Sequence, residues 1–256
     1  MHRDINEVIL TGNLTPCVSA DGKQVGGRLC SSEPEPEDAG RQQQVWHTLV
    51  PVTPAARESI RSWGTNGSMA CVKGRFQRRE YQADGQTRYA NEILVYEPVV
   101  IASNSMRRAE IQVEGRLGTN PDIRYTKKGL AVITLSVATN SFRKDERAPD
   151  GWAKQTVWHR AILFGDTARE KVSSLLRGDH ICLVGELTYR LRKNREDGAV
   201  AEILVKSLSS QGVPMIAPQG AESKQVLTVN GATTAGQQPL YNEVKPPLPY
   251  AAGSVF

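Results

Sequence analysis

The chain has 256 residues, 39% of them hydrophobic, with 32 Lys and Arg against 27 Asp and Glu for a net charge of +5. That is globular composition with room for two domains of about 100 residues. No apolar run approaches the ~18 residues of a membrane span, and "MHRDINEVILTGNL" lacks the apolar stretch of an export signal, so no membrane association and a cytoplasmic location are expected. The four cysteines show no CxxC spacing and predict neither disulfides nor zinc ligation.

In chain order, "EVILTGNL" (7–14) and "VWHTLVPV" (45–52) read as strands, and "TPAARESIRSW" (53–63) as a helix with a Thr-Pro start. "GSMACVKGRF" (67–76) and "EIL" (92–94) flank a basic hairpin, "RFQRREYQADGQTRY" (75–89), whose turn is Asp84-Gly85. The series then starts again. "AEIQVEGRL" (109–117) matches "NEVILTGNL" (6–14), and "VWHRAILF" (157–164) matches the earlier Val-Trp-His strand. A helix is predicted over 166–178, with Asp166 as N-cap and Gly178 as stop. "GDHICLVGEL" (178–187) matches 67–76, with Cys182 over Cys71 and Gly185 over Gly74, and "EIL" recurs at 202–204. A domain of about 105 residues has been duplicated, too long a period and too few copies for a solenoid.

Short strands with one helix between the third and fourth give the element order of an OB fold. The expected class is therefore all-β: two tandem five-stranded OB barrels, 1–104 and 105–210, each with one helix plugging an end. The last 46 residues, 211–256, hold five Gly, six Pro, five Gln and only four charges, which predicts a disordered tail. Charge is unevenly spread. Residues 1–106 carry 11 basic and 12 acidic side chains, whereas 107–210 carry 19 and 13, so a polyanion would be drawn to the second half.

Enzymatic motifs are missing. The histidines (His2, His47, His159, His180) have no metal-ligand spacing, and there is no phosphate loop or nucleophile elbow, so no catalytic residue, cofactor or metal is expected. His47 and His159 fall on the strand face opposite Trp and read as packed or interface histidines. Alternation along "WHRAILF" puts Trp158, Arg160, Ile162 and Phe164 on one face. Two readings stay open, a barrel core or an exposed platform. Arg160 between the aromatics favours the platform, because an unpaired guanidinium inside a small barrel is costly. Basic side chains gather nearby: Arg190, Arg192, Lys193 and Arg195 before the Asp197-Gly198 turn, and Arg78 and Arg79 beside Tyr81. Phe142, Arg143, Lys144 and Trp152 add to them from a long loop. Cations interleaved with aromatics on such a barrel favour single-stranded nucleic acid.

The stretches "GRLGTNPDIRYTKKGLAV", "WHRAILFG" and "LRGDHICLVGEL" resemble, in order and spacing, the bacterial single-stranded DNA-binding protein family. The resemblance covers about 100 residues of the second repeat and is fainter in the first. It implies OB barrels assembled four to a particle, hence a homodimer for a two-barrel chain, which coats single-stranded DNA in replication, repair, recombination or DNA transfer. It places Trp158 and Phe164 at base-stacking positions, Phe142 near a third and Arg192 at a fourth. In the first repeat Trp46 and Tyr81 match, but Val52 stands where Phe is expected, and the loop "SSEPEPEDAGRQQQ" is acidic. The second barrel is therefore expected to carry most of the binding, the first being a weaker site or an assembly surface. The family's acidic tail tip is lacking in "PPLPYAAGSVF", so replication or recombination partners would be recruited differently. The rival reading is a primosomal-type assembly or loading module that chiefly contacts other replication proteins. RNA as the main ligand is a third, since stacking does not read the 2′-hydroxyl.

Overall fold

The computed structural model describes residues 4–18, 24–32, 44–64, 68–83, 85–102, 106–149, 151–191 and 199–211. The first repeat contains β1 (Ile5–Val18), β2 (Gln24–Cys30), β3 (Trp46–Pro51), α1 (Pro54–Gly64), β4 (Met69–Ala83), β5 (Gln86–Val95) and β6 (Val100–Ile101). The second contains β7 (Arg108–Leu117), β8 (Asp122–Tyr125), β9 (Ala131–Lys144), β10 (Trp152–Phe164), α2 (Asp166–Val172), β11 (His180–Leu191) and β12 (Ala199–Gln211).

Two ladders close on themselves. β1 pairs with β2, β2 with β3, β3 with β5, β5 with β4 and β4 with β1, which makes a five-stranded barrel. β7, β9, β10, β12 and β11 form the same cycle. In each barrel one parallel ladder does the closing, Leu49 to Ile93 in the first and Ala161 to Ile203 in the second. These are tandem OB folds, as the order of elements predicted. The inward positions of each strand build the two cores. Val8, Leu10, Leu49, Val72 and Ile93 are sealed in one, and Ile111, Val113, Ile133, Leu135 and Leu183 in the other.

The barrels join through β1 and β7, which run antiparallel from Ile5 opposite Glu114 to Thr11 opposite Arg108. Val8 faces Ile111 in this ladder, and these two residues also coincide when the repeats are aligned. A pseudo-twofold axis therefore passes between them, and one chain has the symmetry of a dimer of single barrels.

Helix α1 begins as its sequence predicts. The Ala56 amide donates to Thr53 Oγ1 at 3.1 Å, Pro54 occupies the first helical position, and Ala56 and Ile60 turn into the barrel end. Helix α2 departs from prediction. It stops at Val172, because the Ser173 hydroxyl donates to the Glu170 carbonyl at 2.7 Å and Leu175 swings into the core through a turn. Asp166 is inside the first turn rather than the cap. Gly165 holds the cap position without a side-chain bond, and Gly178 (φ 95°) ends the turns that follow in a left-handed conformation. Two short strands were not foreseen: β6 adds to the edge of β4, and β8 to the edge of β9 outside the closed barrel. The predicted tail, apart from Gln211, falls outside the described residues.

Candidate nucleic-acid interface

Phe142, Arg143, Lys144 and Trp152, expected on a long loop, belong instead to the paired strands of the β9–β10 hairpin, whose register runs without a break from Trp152 opposite Lys144 to Phe164 opposite Val132. Even-numbered residues of β10 therefore share one face. On that face Trp158 is 55% exposed and Phe164 54%, and Phe142, opposite Lys154, is 57% exposed. The odd-numbered Val157, His159, Ala161 and Leu163 are buried. This decides between the two readings of the strand: both rings stand open to solvent. At ~3.4 Å per residue, the rows from Lys154 to Phe164 extend the aromatic track over about 34 Å.

Trp158 has a prepared seat. A Cβ built on Gly118 would lie 2.3 Å from Cζ3 of the indole, so the ring rests on bare backbone. Beside it, Arg116 is exposed and shares a cross-strand row with Ala138 and Trp158. Arg160 and Arg190 are both tied to Glu202, a nearly buried carboxylate, with Nε to Oε1 distances of 3.0 Å each. Two cations on one anion leave this trio with a net positive charge next to the exposed rings.

The first barrel repeats the device with one part missing. Glu92, the counterpart of Glu202, binds Arg79 through Nε and Nη2 (2.9 and 2.6 Å) and accepts from Gln77 at 2.7 Å. Thr48 stands where the second barrel has Arg160, so here the cation and carboxylate balance. The first barrel's aromatics are also already stacked by guanidinium groups. Arg28 lies 5.0 Å from the centre of Trp46, Arg78 lies 4.0 Å from Tyr89, and Arg79 lies 5.2 Å from Tyr81. Trp46 is only partly exposed, and its Nε1 donates to Gln44 at 3.1 Å.

The inner face of each Trp strand reaches across the seam to a strand of the other barrel, β3 to β11 and β10 to β4. His47 Nε2 is hydrogen-bonded to Ser31 Oγ (2.8 Å), and its Nδ1 to the Tyr189 hydroxyl of the other barrel (3.0 Å). His159 Nε2 is bonded to Thr139 Oγ1 (2.9 Å), and the ring packs on Phe76 of the other barrel at 5.7 Å. Burial lowers both histidines to about 4, so they are neutral at neutral pH. They are interface histidines, as the strand alternation indicated. Asp4 adds a further tie across the seam, accepting from the Asn140 backbone at 2.7 Å.

Of the predicted residues, Trp158, Arg160, Phe164 and Phe142 share one face with the partly exposed Trp152, while Arg190 reaches Arg160 through Glu202. Trp46, Arg78, Arg79 and Tyr81 lie on the first barrel. The side chains of Arg143 and Lys144, and all of Arg192, Lys193 and Arg195, are outside the described residues. Sequence reasoning missed Arg116, Lys154, Arg28 and Tyr89. Arg116, on β7, becomes a neighbour of the track only through strand register, whereas Lys154, four residues before Trp158 on β10, was within reach of the alternation argument; Arg28 and Tyr89 meet their partners only through tertiary contact. Among the described residues, no group of three or more His, Cys, Asp or Glu is placed to hold a metal ion, and no helix is long and apolar enough to cross a membrane.

Residues 109–210 match the model of the "Single-strand binding protein family". The chain is 34% identical over 105 residues to single-stranded DNA-binding protein 1 of Xylella fastidiosa (strain 9a5c), covering 40% of this chain and 76% of that protein. It is 37% identical over 75 residues to the single-stranded DNA-binding protein of Xanthomonas campestris pv. campestris, covering 29% of this chain and 42% of the relative. The chain thus spans about two-fifths of the length of that relative and, at 41%, of its counterpart from Xanthomonas axonopodis pv. citri. In fold it is similar to the wild-type single-stranded DNA-binding protein from Thermus aquaticus, with a TM-score of 0.57 at 20% identity over 86% of this chain and 98% of that one.

Proposed function

The chain belongs to the single-strand binding protein family, and on that premise we propose that it binds single-stranded DNA with little regard to sequence and coats strands exposed in replication, repair, recombination or DNA transfer. Bases stack on Trp158, Phe164 and Phe142. Arg160, Arg190, Arg116 and Lys154 hold phosphates, joined by Arg143, Lys144, Arg192, Lys193 and Arg195, and Trp152 adds a ring to the strand's path. Stacking contributes about 1–3 kcal/mol per base whatever the base. Each neutralised phosphate releases counterions, so affinity falls as salt rises. The protein acts by binding and has no turnover.

The observation that carries this reading is the set of three solvent-open aromatics on one face of β9 and β10, flanked by cations. The chain works as two units, 1–104 and 105–210, followed by the 211–256 segment. The second unit is the principal site. The first, with Arg-capped rings and a charge-balanced Glu92, is the weaker one at Trp46, Tyr81, Arg78 and Arg79. Pairing of two chains would bring four barrels together, and replication or recombination proteins would meet this particle in the cytoplasm. Titration of oligo-dT while following tryptophan emission tests the reading. Strong quenching that saturates and reverses with salt supports it, and no quenching at low salt refutes it.

A further inference from the structure

The pseudo-twofold seam opens into two clefts. One, of about 200 Å³, is lined by Phe76, Arg78 and Asn91 of the first barrel and by Trp158, Arg160 and Ala199 of the second. The other, of about 360 Å³, is lined by Arg28, Trp46, Tyr89 and Asn91 of the first barrel and by Tyr189 and Ala199 of the second. Asn91 and Ala199 belong to both, and the Asn91 side-chain amide donates to the Ala199 carbonyl at 2.7 Å, a single bridge between the clefts. Neither cleft is complete within one barrel.

We infer that the seam is a composite nucleotide site, in which Arg78 of the first barrel holds a phosphate of the strand whose base is stacked on Trp158 of the second. The inference rests on the single-stranded DNA reading and adds a residue from the other repeat to its principal site. Arg160, on the second barrel's own side of the cleft, shares Glu202 with Arg190, so part of its charge is spent internally. Arg78 instead lies over the uncharged Tyr89 ring at 4.0 Å, a contact that fixes the guanidinium without cancelling its charge. The second barrel supplies the open ring and the first supplies the cation. In the other cleft Arg28 is stacked on Trp46 of its own barrel, so a strand led over the Asn91–Ala199 bridge passes from one barrel's tryptophan to the other's with an arginine of the first barrel in each cleft. The pairing of an exposed ring with a cation across a cleft is the arrangement that single-strand binding uses, and here the seam creates it.

The test uses the full chain and a labelled dT oligomer just long enough to quench Trp158. That length is found in a variant keeping Trp158 as its sole tryptophan (Trp46→Phe, Trp63→Phe, Trp152→Phe). Binding is then followed by anisotropy across a salt series in the otherwise unaltered chain. Arg78→Ala is expected to weaken binding and to flatten the logarithmic salt slope by about 0.7, the value for one phosphate on a single strand. Arg78→Lys restores the slope, and Arg61→Ala on helix α1 leaves it unchanged. An Arg78→Ala protein with wild-type slope and affinity overturns the seam site while Trp158 quenching persists and the stacking reading stands. Loss of all Trp158 quenching in the sole-tryptophan protein overturns both.

Discussion

Gly118 offers a way to move the principal stacking ring without altering any charge. Its backbone is not in the left-handed region, so alanine is conformationally allowed there; the obstacle is space. An added Cβ would stand 2.3 Å from Cζ3 and 2.7 Å from Cη2 of Trp158, inside any permissible contact. The indole, more than half exposed, is free to yield, so it lifts from its seat and the backbone stays. The cost to binding is then bounded by the stacking of one base, about 1–3 kcal/mol, or roughly a 5- to 150-fold loss of affinity for short oligo-dT. Stability is expected to change by less than about 1 kcal/mol, since little buried surface moves and alanine restricts the unfolded chain. Anisotropy titration measures the first quantity and thermal unfolding the second. Wild-type affinity in Gly118→Ala would show that the indole's seat is irrelevant to binding. Loss of binding together with a collapse in the unfolding temperature would place the damage in the barrel rather than the ring.

Trp158→Ala is expected to cost about 1–3 kcal/mol of DNA affinity and Trp46→Ala distinctly less, because Arg28 already covers Trp46; equal losses would mean the barrels share the load. Stability depends on pH through His47 and His159, which are neutral when buried but protonate from 6.5 downward in the unfolded chain. The unfolded state therefore binds more protons between pH 6.5 and about 4, and stability present above pH 6.5 falls as acid is added, by up to about 3 kcal/mol per histidine. Thermal unfolding over this range should show the fall, and His47→Gln with His159→Gln should flatten it; identical pH profiles would sink the assignment. Deleting 212–256 is expected to leave DNA affinity nearly unchanged, since that segment has only two basic residues, and a large drop would show that it touches the strand.

Much of this protein was written along the chain. Alternation is a local property, so it placed Trp158, Arg160 and Phe164 on one face of their strand; whether that face met core or solvent it left open, and only the closed barrel decides that both rings are exposed. The Thr53–Pro54 helix start was equally legible, because an N-cap is settled within a few residues. The end of α2 was not, since it is the need to bury Leu175, a tertiary demand, that breaks the helix early. Register and the seam lay beyond reach for the same reason. Which residues stand opposite Trp158 depends on how β7, β9 and β10 align, and the cleft uniting Arg78 with Trp158 exists only when two barrels are brought together by β1 and β7. A sequence fixes what each strand can present; only closed ladders, with their hydrogen bonds satisfied and cores filled, decide what it is presented to.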